Sequence, residues 1–242
     1  FRLLAGVVLA CSSHVHAQSD FPNRSVRIVI GQTPGGPTDI PARMLAQRLS
    51  ERIGQPFVVE NRPGAASNIG TEIVARAPKD GYTILVSYSG YHVANPILMD
   101  KLPWDLKSLT PVALVTVATN VIAVHPSVPV TNLKELIAYA QKNPGKLNYA
   151  SQGNGSVSHI GTEIFKQKIN ADIVHVPYKG NAPALADLLA GVLPFTFDTV
   201  VTAVPHIRSG GLRALAVSGP KRASSLPNVP TMQELGYKDF DF

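Results

Sequence analysis

Apolar positions along the chain follow two alternating periods. The β-branched run at 26–30 reads as a strand. After it, Pro41, Leu45, Leu49 and Ile53 recur four residues apart, the face of a helix that opens at Thr38 or Asp39 and stops at Gly54. Pro41 is tolerated there because it falls in the first turn. Residues 57–60 predict a second strand and 69–77 a second helix ended by Pro78. Lys79-Asp80-Gly81 then turns into a strand over 83–87. A second series begins after Pro126. Asn132 and Glu135 have the spacing of a capping box at the head of a helix running to Lys142. Strands at 147–150, 173–176, 195–197 and 212–217 alternate with helices at 158–168, 184–190 and 200–208. This alternation predicts a parallel α/β architecture. Two such series, joined through the apolar segment 114–124, predict two domains with a cleft between them, the chain crossing back near 212–218.

Composition narrows the class. Of 242 residues, 45% are hydrophobic and 16% charged, which excludes a disordered polyelectrolyte and a membrane bundle. A membrane span needs about 18 uninterrupted apolar residues, and the stretch 112–124 is broken by Thr116, Thr119 and Asn120. The formal net charge is +6. Basic residues are dispersed and not interleaved with aromatics, which argues against nucleic acid as a partner, while a modest positive field favours capture of anions. The first residues read as the rear of a signal peptide: a short apolar run, then Val15 and Ala17 at the positions a signal peptidase recognises. Cleavage after Ala17 removes Arg2 and the single cysteine, leaving 21 basic against 16 acidic residues. A lipoprotein box ending at Cys11 is the lesser alternative. The chain opens without methionine and closes on the strand-like alternation 239–242, so both ends are expected to continue.

Two Gly-rich loops carry the candidate chemistry. Thr33, Pro34, Gly35, Gly36, Pro37, Thr38 and Asp39 lie between the first strand and the first helix, where converging backbone N–H groups and a helix N-terminus favour an anion. Asp39 is expected to cap the helix rather than touch an anion. Ser151, Gln152, Gly153, Asn154, Gly155 and Ser156 repeat the device in the second series. A dicarboxylate spanning the cleft places one acid group on each loop. Asn68 at a helix start, Tyr88 with Ser89 just past a strand end, and Tyr91 are further pocket candidates, whereas Trp104 is explained by core packing. Ser156 and His159, three residues apart on one helix, offer a competing reading as the nucleophile and base of a hydrolase, without an acidic partner. No phosphate-binding loop of the nucleotide type occurs. The histidines lack metal-ligand spacing, so no metal, cofactor or catalytic residue is expected.

The motifs Pro34-Gly35-Gly36-x-x-Asp39-x-x-Ala42-Arg43, Asn61-Arg62-Pro63-Gly64-Ala65, Tyr149-Ala150-Ser151-x-Gly153-x-Gly155-Ser156-x-x-His159 and Val176-Pro177-Tyr178-Lys179-Gly180 stand in the order used by the tripartite tricarboxylate transporter substrate-binding proteins, the Bug receptors. The chain resembles that family over 21–242. The resemblance implies a two-domain periplasmic-binding-protein fold with two crossover strands, its C-terminus truncated. The first domain comprises 18–119 plus 220–242 and the second 120–219. It further implies a monomeric periplasmic receptor for a small carboxylate, serving transporter subunits or, alternatively, a membrane sensor kinase. Thr33 to Asp39, Ser151 to Ser156, Asp198 and Tyr178 become cleft residues. Two departures stand out. Gly31-Gln32 replaces a common Pro-Phe, exchanging an aromatic wall for a polar side chain, and Gly64-Ala65-Ala66-Ser67 replaces a common Gly-Ala-Gly-Gly.

Overall fold

The computed structural model describes residues 21–240. The expected signal peptide, its Cys11 alternative and the last two residues of the terminal alternation lie outside them. Strand β1 (Val26–Ile30) is the centre of a three-stranded parallel sheet, with β2 (Phe57–Asn61) and β3 (Thr83–Leu85) on either side. Helix α1 (Asp39–Ile53) packs Ala42 and Ala46 against Ile28 and Ile30. Its end is dictated locally: Gly54 adopts φ 79°, open to glycine without steric cost, and its N–H closes on the Ser50 carbonyl. Helix α2 (Asn68–Ala75) follows β2. Helix α3 (Ser89–Leu98) was not anticipated, since Gly90 and Pro96 interrupt it and its apolar Val93, Ile97 and Leu98 face outward.

The second sheet has the order β6-β5-β7-β4-β8, from β4 (Asn120–Val124), β5 (Leu147–Ser151), β6 (Ile173–Pro177), β7 (Phe195–Thr199) and β8 (Arg213–Val217). Strand β5 runs parallel to β6 and β7, but β4 is antiparallel to both β7 and β8. The all-parallel expectation fails there because β4 enters from the first sheet through an irregular connection, not through a βαβ crossover, and so is free to insert in the opposite sense. It is buried on both faces. In the apolar connecting segment 114–124 only the last five residues are strand, and Leu114 and Val117, like Val112 before them, are exposed.

Helices α4 (Leu133–Lys142), α5 (Val157–Ile169), α6 (Asn181–Leu189) and α7 (Val200–Arg208) cover this sheet. The capping box forms at α4: the Glu135 N–H donates to Asn132 Oδ1 at 3.0 Å, and the Glu135 carboxylate accepts the Thr131 N–H at 2.7 Å. The main core gathers Leu136, Tyr149, Phe165, Phe195 and Phe197. Met232, Tyr237 and Phe240 join it, and Leu226 and Val229 pack beside Val121 and Val217. Residues 220–240, grouped with the first domain by the sequence, thus rest on the five-stranded sheet in this structure.

Candidate functional site

The two Gly-rich loops leave the C-terminal ends of β1 and β5 and open on one cavity, and each also touches a further segment of the facing lobe. A Cβ at Gly180 would stand 2.5 Å from Thr33 Oγ1, and one at Gly155 would stand 3.1 Å from Leu98 Cδ1 of α3. Between the sheets lies a cavity walled by Gln32, Pro37, Tyr88 and Tyr91 on one side. Asn120, Gln152, Ser156, Val157, Ser158 and Thr199 wall the other. It measures about 10 Å³, room for roughly one water, so the cleft is closed. None of these wall residues carries a formal charge.

Among the described residues, five buried side-chain atoms have no hydrogen-bond partner: Gln32 Oε1, Thr33 Oγ1, Thr38 Oγ1, Ser87 Oγ and Asn181 Nδ2. An unpaired buried polar group costs about 1–3 kcal/mol. Gln32 lines the cavity, Thr33, Thr38 and Ser87 each adjoin a wall residue in sequence, and Asn181 follows Gly180, which stands against Thr33. A larger, open groove of about 760 Å³ runs along 116–119, 200–208 and 220–225 and takes in Pro37 and Pro41, but none of the five lies on its walls and only Thr38 adjoins one in sequence. Unsatisfied polarity therefore places the candidate site in the closed cleft.

Within the first loop, Asp39 does structural work. Its carboxylate is 2% exposed and accepts the Gly35 N–H at 2.9 Å, Arg43 Nε at 2.8 Å and Asn61 Nδ2 at 2.8 Å. Burial pushes its pKa up, but these three donors outweigh it and hold the group below its ordinary value. The expected cap does not form: Thr38 occupies the N-cap position without a side-chain bond, and its hydroxyl is one of the unpartnered five. The Gly35 N–H, expected to meet an anion, is spent on Asp39.

The second loop is wired in the same inward manner. Ser156 caps α5, accepting the His159 N–H and donating to the Gly153 carbonyl at 2.6 Å. The Ser151 hydroxyl accepts the Gly153 N–H at 3.1 Å and lies 2.6 Å from His175 Nε2. The Gly155 N–H donates to His159 Nδ1 at 3.1 Å. The hydrolase pairing does not form, because the imidazole addresses Gly155 and not the Ser156 hydroxyl. Asp198 is buried behind the wall. Burial raises its pKa, and it accepts the Thr199 N–H at 2.7 Å and Gln152 Nε2 at 3.2 Å, orienting the amide that reaches the cavity.

Other expected residues fall outside the cavity. Asn68 is consumed by Asn95, Trp104 Nε1 and Met99 Sδ. Ser89 is exposed on the first turn of α3. The Tyr178 hydroxyl donates to Asp187 at 2.5 Å. Tyr88 does line the cavity, edge-on to Tyr91. Burial, then Tyr91, pushes its pKa up to about 12, so its phenol is a neutral donor. Asn120, Val157, Ser158 and Thr199 of the wall escaped the sequence reading. Asn120 was read only as a break in an apolar run, and Thr199 directly follows Asp198, which the resemblance had marked as a cleft residue.

Comparison with known proteins gives consistent matches. The sequence model of the tripartite tricarboxylate transporter family receptor matches residues 41–242. Protein BugT of Bordetella pertussis is 40% identical over 245 residues, covering 99% of this chain and 75% of BugT. An R. palustris protein solved with adipate superposes with a TM-score of 0.89 at 39% identity, over 92% of this chain and 75% of its own. MatC from Rhodopseudomonas palustris, solved with bound malate, gives 0.85 at 34% identity over 92% and 76%.

Proposed function

The chain belongs to the tripartite tricarboxylate transporter receptor family, and on that premise we propose that it is a periplasmic receptor. It captures a small carboxylate between two lobes and hands it to a membrane transporter of the tripartite type. The observation that carries this reading is the set of unpartnered buried polar atoms at or beside one closed cleft, of which the Thr33, Thr38 and Ser87 hydroxyls can donate to an acid. Such atoms are retained against their cost when a ligand completes them. Adipate and malate in two solved relatives support an organic acid as that ligand. The cleft offers hydroxyls and amides in place of an ion pair, so the carboxylate is held by several neutral donors, and micromolar affinity needs only a few. The lobes are the three-stranded sheet with α1–α3 and the five-stranded sheet with α4–α7. Where the chain enters the second lobe, the Ser218 N–H bonds the Asn120 carbonyl at 2.9 Å and the Asn120 N–H bonds Ser218 Oγ at 3.2 Å. Export by the leader ending at Ala17 delivers the chain to its compartment.

The test is a thermal-shift screen against mono-, di- and tricarboxylates, aromatic acids and acidic amino acids. Saturation at a hundredfold excess adds about 2.7 kcal/mol, a shift of several degrees. Thr38→Val removes an unpartnered hydroxyl while keeping its shape. It is expected to leave the free protein as stable or slightly more so and to weaken the hit at least tenfold. Silence across every acid class overturns the reading.

A further inference from the structure

The second ligand loop is held from behind by two imidazoles. Its backbone N–H groups at Gly153 and Gly155 point inward. The Gly155 N–H ends directly on the lone pair of His159 Nδ1. The Gly153 N–H ends on Ser151 Oγ, whose own proton is then directed at His175 Nε2. Both chains of donors terminate on a nitrogen that must be unprotonated to accept. The two rings lie face to face, 4.2 Å apart and 15° from parallel, and Tyr149 stacks on His175 at 4.8 Å. Glu163 and Lys166 of α5 are the charged groups facing the pair. Glu163 favours the imidazolium and Lys166 opposes it, while the carboxylate also takes the Tyr149 hydroxyl at 2.7 Å.

Resting on the receptor reading above, we propose that His159 and His175 are positioning residues that latch the loop 151–156 in its binding shape, and that acidification unlatches it and releases the bound acid. A proton added to His159 Nδ1 turns an acceptor into a donor aimed at the Gly155 N–H. One added to His175 Nε2 forces Ser151 to accept from both sides, leaving its own proton without a partner in the loop. A second cation 4.2 Å from the first is opposed by repulsion, so the pair titrates as a coupled unit. Burial lowers both pKa values, His175 to about 4. The neutral, latched form therefore prevails at neutral pH, and its advantage falls as pH drops below the ordinary imidazole value of 6.5.

The experiment pairs two readouts on the full chain, backbone amide exchange of 151–156 corrected for intrinsic rates, and affinity for adipate and for malate, each at pH 7.5 and 4.5. His159→Asn places an amide oxygen where Nδ1 stood, and His175→Gln places one at Nε2, so both variants keep an acceptor that cannot be protonated at these pH values. The double variant is expected to keep both its exchange protection and its affinity on acidification. The wild type loses at least tenfold more in each than the double variant, which also corrects for titration of the acids themselves. Equal pH dependence in the two proteins overturns the latch. Failure of both acids to bind at pH 7.5 counts against the proposed ligands, while amide exchange still decides the latch.

Discussion

Replacing Asp39 by asparagine is the sharpest available perturbation of the first loop, because it preserves shape and removes only charge and acceptor capacity. Three donors converge on the carboxylate. Arg43 is half-exposed, so its pairing counts for about 1 kcal/mol after screening. The Gly35 N–H and the Asn61 amide each make a charge-assisted bond, worth about 1–1.5 kcal/mol after allowance for a neutral amide oxygen that still accepts. The asparagine N–H₂ also faces at least one donor head-on. The expected loss is about 2–4 kcal/mol, or roughly 5–15 °C in Tm for a chain of this length. A loss of affinity should accompany it, since Asn61 Nδ2 donates both to Asp39 and to the Gln32 carbonyl at 3.0 Å, linking the carboxylate to a cavity wall. The acid limb gives an independent sign. The folded pKa lies below the ordinary value of 3.8, so the stabilisation is present above that pH and is lost as pH falls through the folded value. The variant should lack this contribution. Urea denaturation at pH 7 and pH 3 measures both effects. A variant within 0.5 kcal/mol of wild type (roughly the range of ordinary surface changes), with the same acid limb, would refute the organising role of Asp39.

Two further substitutions probe backbone and closure. Ala65, Ala66 and Ser67 hold φ values of 47°, 50° and 69°, a left-handed region that costs a side-chain-bearing residue about 1–2 kcal/mol. Ala66→Gly relieves that strain, offset by about 0.5–1 kcal/mol of added unfolded-state entropy. A net gain of about 0.5–1 kcal/mol by calorimetry is expected, and a loss of stability contradicts the assigned conformation. Gly180→Ala sets a methyl group 2.5 Å from Thr33 Oγ1 across the cleft. It is expected to weaken carboxylate binding at least tenfold and to leave the solution-scattering profile unchanged on adding ligand. Normal compaction with ligand would show that these residues do not meet in the bound form.

Elements with a local cause were legible in the sequence, and those with a tertiary cause were not. Helix α1 ends at Gly54 and α4 begins at Asn132 for reasons contained within a few residues, and both stand as expected. Helix α3 has no such local signature. Its buried residues Tyr91, Ala94 and Asn95 do not alternate with a polar face, and Asn95 is fixed by Ala66 and Asn68 from a distant segment. The direction of β4 was equally invisible, since an apolar pentapeptide buried on both faces reads the same in either sense.

The candidate site divides along a related line. Composition found both loops, because glycine next to a helix start is a local signal, but it could not tell which of their donors were already spent. Gly35 N–H, Gly153 N–H, Gly155 N–H and the Ser151 hydroxyl were all counted toward an anion, and each is bound within the protein. What remains free to address a ligand is the complement of that set. It consists of the hydroxyls of Thr33, Thr38 and Ser87, with Gln32 Oε1 and Asn181 Nδ2, at or beside a wall to which single positions on separate strands, Asn120 and Thr199, also contribute. A Gly-rich loop is in this protein a rigid frame first, its N–H groups fastened to Asp39, to the Ser151 hydroxyl and to the His159 imidazole, and on the receptor reading such a frame holds neutral side chains close enough together to replace the hydration of a carboxylate.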